Sequence, residues 1–170
     1  SSSMRSWRPD AALYPEQGAE IGSHPLAMNF TTLKAVGAEF AYLRLEHDSR
    51  ALDDDFADRY RRAREAGLKV GVVLPFNPCV PADPQSAYFT QMVPRDGDLL
   101  PPAIALDSTA SGCEPAVSDA AVESELMTLV NQVELHSGKP VILKLSREFE
   151  ARHGTATTTA RDLWLVRDRA

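Results

Sequence analysis

The sequence predicts an α/β fold built on a parallel sheet, and three observations carry that expectation. Short apolar runs alternate with longer runs of helical periodicity from residue 18 to residue 168. Gly37, Gly67 and Gly138 each fall directly after a helical run, where a left-handed cap residue is favoured. A strand, helix, strand order implies parallel pairing through right-handed crossovers. That leaves two architectures, an open doubly wound sheet and a β/α barrel.

Each element has its own reason. Residues 18–22 are a short strand candidate, and 30–37 a short helix that stops at Gly37. Residues 40–46 read as a strand. Residues 53–67 read as a helix whose aspartates precede and fill the first turn, where the helix dipole favours negative charge. The near-continuous apolar run 69–76 is a buried strand. A Pro-rich loop and a short helix at 84–93 follow. The next strand, 102–107, ends on Asp107. The longest helix spans 117–138, with Val122, Leu126, Leu129, Val130 and Val133 at helical spacing. Residues 139–146 form a strand, 147–154 a short helix and 162–168 a last strand. Residues 1–13 are a lead, either a cloning remnant or a flexible segment, and 14–170 read as a single domain.

Composition excludes some function classes. The net charge of -6 and pI near 5.2 argue against a nucleic-acid partner, which needs a basic face. The one basic run, Arg-Tyr-Arg-Arg-Ala-Arg at 59–64, reads as a solvated helix face. No apolar stretch reaches the roughly 20 residues that span a bilayer, and no signal peptide is visible. No glycine-rich phosphate loop follows a strand, so no nucleotide cofactor is expected. In both candidate architectures function collects at the C-terminal ends of the strands. Those ends carry Glu20 with His24, then Glu46, His47 and Asp48, then Pro75 and Phe76, Asp107, Ser146, and Arg167 with Asp168. His24 and His47 match no established metal spacing, so no metal is expected.

A family resemblance enters here. The stretch 14–46, which opens Tyr-Pro-Glu-Gln-Gly-Ala-Glu-Ile-Gly-Ser-His-Pro and runs through the strand at 40–46, resembles the opening of family-25 glycoside hydrolases, the lysozyme or muramidase family. Residues 56–76 resemble that family's second helix and third strand. Residues 79–107 resemble its Gln-Ala-x-x-Phe segment and the Leu-Pro-Pro strand that ends Asp-x-Glu. Residues 138–149 and 163–166 resemble its fifth and sixth strands. The resemblance implies a β/α barrel of five β/α units and further strands, the last two of them not in this chain. It also implies a cleft for peptidoglycan glycan in which the glutamate of Asp-x-Glu is the general acid.

The departures from that pattern gather at one strand-end surface. Asp107 stands at the acid position and Ala105 at the aspartate position. Glu20 stands where the first-strand aspartate belongs, His47 replaces a glutamate, and Lys144 replaces a tyrosine. Ser23 and His24 remain of a longer Ser-His-His-Gln-Gly motif. Shortening Glu to Asp withdraws a carboxyl by roughly 1.5 Å, one carbon–carbon bond. A misplacement of about 1 Å can cost on the order of 100-fold in rate. Loss of the partner carboxylate also removes stabilisation of an oxocarbenium-like charge.

The expected function is therefore a lysozyme-like protein with muramidase turnover lost or strongly reduced, retained for binding a glycan or a protein partner. Two alternatives stay open. One is an active divergent muramidase with Asp107 as acid and Glu20 as second carboxylate, and the other is a non-enzymatic scaffold. His24, His47, Phe76, Lys144 and Trp164 are the candidate substrate-binding residues, with Phe76, Trp164 and Tyr88 also readable as core aromatics. The resemblance further implies a Cys79–Cys113 disulfide between neighbouring loops, which suits a periplasmic or secreted protein.

Overall fold

The computed structural model describes residues 18–21, 30–46 and 52–165. Six strands form one sheet in chain order: β1 (Gly18–Ile21), β2 (Phe40–Arg44), β3 (Lys69–Pro75), β4 (Ala103–Leu106), β5 (Ile142–Leu145) and β6 (Asp162–Leu165). Every neighbouring pair is parallel. The intervening helices are α1 (Phe30–Ala35), α2 (Leu52–Glu65), α3 (Ala82–Met92), α4 (Asp119–Ser137), α5 (Arg147–His153) and the single turn α6 (Thr155–Thr158). Alternation along the chain thus becomes a run of β/α units, as the sequence predicts.

The two faces of the sheet differ. Ala41, Leu43, Val70, Val72, Leu74, Ile104, Leu106, Leu143 and Leu145 pack into the main core with buried positions of the helices. Val122, Leu126, Leu129, Val130 and Val133 of α4 are all buried there, as their spacing requires. The opposite face carries a second cluster of Tyr42, Val73, Ala103, Ala105 and Ile142, with Trp164 packed against it.

That second face is strongly curled. The rings of Tyr42 on β2 and Trp164 on β6 lie 5.3 Å apart. Three strands separate β2 from β6, so a flat sheet would hold their backbones roughly 19 Å apart. The sheet therefore wraps around its inner face as a barrel wall does. Among the described residues no strand pairing joins β6 back to β1. Gly71 makes room for the Tyr42 ring: a Cβ at residue 71 would stand 2.3 Å from Tyr42 Cε2.

The structure corrects several local expectations. The fifth strand begins at Ile142 rather than at residue 139. Lys139 instead turns back to bond the carbonyls of Gly97 and Leu99, and Pro140 brings no N–H to a ladder. The turn α6 was unexpected; it follows the left-handed cap Gly154 (φ 59°). The basic run on α2 is only partly a solvated face. Arg59 is buried, donating to Asp55 Oδ2 at 3.0 Å and to the carbonyl of Arg44 at 3.2 Å. Arg64 reaches Asp96 and Asp98 in the loop before β4, which fastens α2 to that loop.

Candidate functional site

Because all six strands are parallel, their C-terminal ends meet at one rim. β4 delivers Ala105 and Leu106, both fully buried, and Asp107 is the first residue beyond the strand. The Asp107 side chain is 43% exposed and accepts a hydrogen bond from Arg44 Nη2 at 2.6 Å. Arg44 ends β2, with its side chain 23% exposed. Its backbone carbonyl is in turn held by the buried Arg59 of α2. Asp107 is thus ion-paired with the guanidinium of an arginine whose backbone is held by Arg59, a geometry that uses the Asp107 oxygen as acceptor.

The register fixes what surrounds Ala105. It lies between Pro75 of β3 and Lys144 of β5, and Lys144 pairs onward with Trp164 of β6. Lys144 Nζ sits 5.1 Å from the Trp164 ring centroid, a cation–π contact set by that register. Tyr42 completes the group: it meets Trp164 edge-on and donates its hydroxyl to the carbonyl of Pro101 at 2.8 Å. A cation and two aromatic rings therefore occupy the inner face where Ala105 offers no charge.

Other expected residues fall elsewhere. The backbone of Glu20 pairs with Tyr42 in the β1–β2 ladder. His24 and His47 lie outside the described residues, as does Trp7. Phe76 is a correction: it is 4% exposed and packs edge-on against Phe149, so it belongs to the core and offers no face to a sugar. Tyr88 donates its hydroxyl to the carbonyl of Glu46 at 2.6 Å, which ties α3 to the end of β2. Among the described residues, no group of three His, Cys, Asp or Glu side chains could hold a metal ion.

The cysteines behave as the resemblance implies. Cys79 and Cys113 form a disulfide with Cα atoms 5.2 Å apart, joining the loops after β3 and β4. The loop after β4 is further shaped by a 3₁₀ turn at Ala110–Gly112, capped by Thr109, whose side chain accepts from the Ser111 N–H. On the other side of the first loop, the buried Gln85 amide bonds the carbonyls of Asn77 and Val80 and accepts from the Asn77 N–H.

Sequence reasoning missed Arg44. The signal was present: Phe40, Tyr42 and Arg44 share one strand phase, so a charge at the end of that phase projects toward the rim.

Comparison with known proteins decides the kinship. The profile of the glycosyl hydrolases family 25 matches residues 20–168. The chain belongs to this family. Among solved structures it resembles a family 25 glycosyl hydrolase from Bacillus anthracis, with 23% identity and a TM-score of 0.76 over 87% of this chain and 68% of that one. A muramidase from Acremonium alcalophilum gives 18% identity and a TM-score of 0.74 over 90% of this chain and 77% of that one. A bacterial lysozyme from Streptomyces coelicolor gives 18% identity and a TM-score of 0.71 over 88% and 72%. No curated protein matches the chain. These identities carry the fold. Within the described residues, no helix of this family-25 chain is long and apolar enough to cross a membrane.

Proposed function

We propose that this family-25 chain binds cell-wall glycan at the mouth of its sheet, with muramidase turnover lost or strongly reduced. One observation carries the reading: the carboxylate at the acid position, Asp107, accepts a 2.6 Å bond from Arg44, while Ala105 supplies no second carboxylate beside it. Protonation of a leaving oxygen needs an acid with a proton to give, within hydrogen-bond reach of that oxygen. Family chemistry on a glycosidic bond calls for two carboxyls flanking it. Trp164, only partly buried on the inner face beside Lys144, is an aromatic surface of the kind that sugar rings contact. The Cys79–Cys113 bond supports an oxidising, extracytoplasmic compartment.

The test pairs two assays on the intact chain. Clearing of a peptidoglycan suspension is expected to stay at background, for the wild type and for Asp107→Ala alike. Retention on insoluble sacculi is expected for both. Clearing by the wild type that Asp107→Ala abolishes would instead establish an active glycosidase using Asp107. Absence of retention would leave the barrel as a scaffold without a glycan ligand.

A further inference from the structure

Beside the sheet mouth lies a concavity that the glycan reading does not use. It is an open depression of about 830 Å³, walled by the loops after β3 and β4 and by α5. Its polar groups come from Asn77, Ser108, Thr109, Ser111, Glu148 and Arg152. The Thr109 hydroxyl donates to Ser111 Oγ at 3.2 Å, so two hydroxyls stand fixed on one wall. Arg152 gives its Nε–H to Asp119 Oδ1 at 2.9 Å, so that pairing engages one end of a guanidinium with five donors. Glu148 stands one helical turn before Arg152. Among the described residues no ion pair joins Glu148 to Arg152; the arginine turns to Asp119.

We infer that this groove binds a short peptide bearing both a free ammonium and a free carboxylate, and specifically the stem peptide of cell-wall glycan. The inference rests on the cell-wall reading above and extends it to the peptide portion of the same polymer. A carboxylate and a guanidinium one turn apart, about 5–6 Å between their Cβ atoms, match the two ends of a zwitterion. The guanidinium fork suits a carboxylate, and the Glu148 carboxylate suits an ammonium. The hydroxyls and the Asn77 amide suit peptide N–H and C=O groups. No aromatic ring lines the groove to stack on a sugar face, in contrast to the inner face with the partly exposed Trp164. The groove begins at Ser108, the residue after Asp107. A glycan strand lying at the mouth would pass next to this groove.

The experiment titrates the full disulfide-bonded chain with three probes: solubilised glycan strands that keep their stem peptides, the same strands stripped by an amidase, and the isolated stem tetrapeptide. Calorimetry is expected to show binding of all three. Glu148→Gln and Arg152→Gln are each expected to weaken the intact strands and the tetrapeptide about tenfold, with stripped strands unaffected. Arg152→Lys, which keeps the charge but loses the fork, is expected to fall between. Unchanged circular-dichroism melting of these surface variants excludes misfolding. Stripped strands binding as tightly as intact ones, with both variants unchanged, would overturn the groove and leave the glycan reading standing. A tetrapeptide that binds while stripped strands do not would keep the groove and overturn the glycan reading. Binding of none of the probes would overturn both.

Discussion

Arg44 Nη2 and Asp107 Oδ2 lie 2.6 Å apart, joining the ends of β2 and β4 across sixty-three residues of sequence. The pair bridges over β3, which separates the two strands. Both side chains are partly exposed, so solvent screens the attraction and the coupling is modest. A double-mutant cycle with Arg44→Gln and Asp107→Asn is expected to give a coupling of about 0.5–1 kcal/mol in urea denaturation. No measurable coupling would mean that the pair does not persist in solution.

Arg59 is expected to matter more for stability than Arg44. Its side chain is 5% exposed, and it serves both Asp55 and the Arg44 carbonyl. Arg59→Met keeps most of the apolar stem but strands those acceptors. A loss of about 1–3 kcal/mol is expected from the urea midpoint. A loss no larger than that of Arg61→Met, an exposed neighbour on the same helix, would contradict a supporting role under β2.

Gly71→Ala tests the curl of the sheet. The added methyl would meet the Tyr42 ring at 2.3 Å, and that ring is fully buried and held by its bond to the Pro101 carbonyl. Overpacking of this kind costs about 1–3 kcal/mol. Gly97→Ala meets nothing within 4 Å and is expected to leave the melting temperature nearly unchanged. Equal effects of the two substitutions would remove the steric account.

Acid stability should report on the α2 tether. The Tyr60 hydroxyl, then the Asp98 N–H, then Arg64 hold the Asp96 carboxyl down from an ordinary 3.8 to about 2. Its contribution is therefore complete above about pH 4 and is lost as pH falls through about 2. Asp58 shifts in the same direction, chiefly through its hydrogen bond from Arg61. Melting temperature is expected to fall between pH 4 and pH 2, less steeply in Asp96→Asn. An identical slope in the variant would show that the tether is not populated.

Removing the disulfide is expected to destabilise the fold by about 3–4 kcal/mol, from the loop-closure entropy of a cross-link that spans a separation of 34 residues. Chemical denaturation of the Cys79→Ser, Cys113→Ser double variant measures it. A loss below about 1 kcal/mol would point to a rim already fixed by the Gln85 amide bonds.

Much of this architecture was legible in the chain because it depends on local periodicity. The buried face of α4 and the Gly138 cap that ends it follow from residues within one or two turns, whereas the Ser118 cap that starts it, one residue inside the expected 117–138, emerged only in the structure. The candidate site was less legible because its decisive contacts are non-local. Arg44 and Asp107 sit in different β/α units, and only the parallel register brings their ends together. Phe76 shows the opposite error. A strand-end position suggested the rim, but the residue follows Pro75 into the core, where Phe149 covers it. Arg59 was misread for the same reason: a basic run looks solvated until a strand end arrives to accept from it.

The contact between Tyr42 and Gly71 also restricts how this lineage can change. A side chain at residue 71 becomes tolerable only once residue 42 has become smaller. Losing the Tyr42 ring first would strip Trp164 of its neighbour and leave the Pro101 carbonyl without that donor. The two positions are therefore bound to evolve together, with the reduction at 42 preceding any enlargement at 71. Relatives that carry a larger residue at the glycine position are the ones in which to look for a small or aliphatic partner across the strand pair.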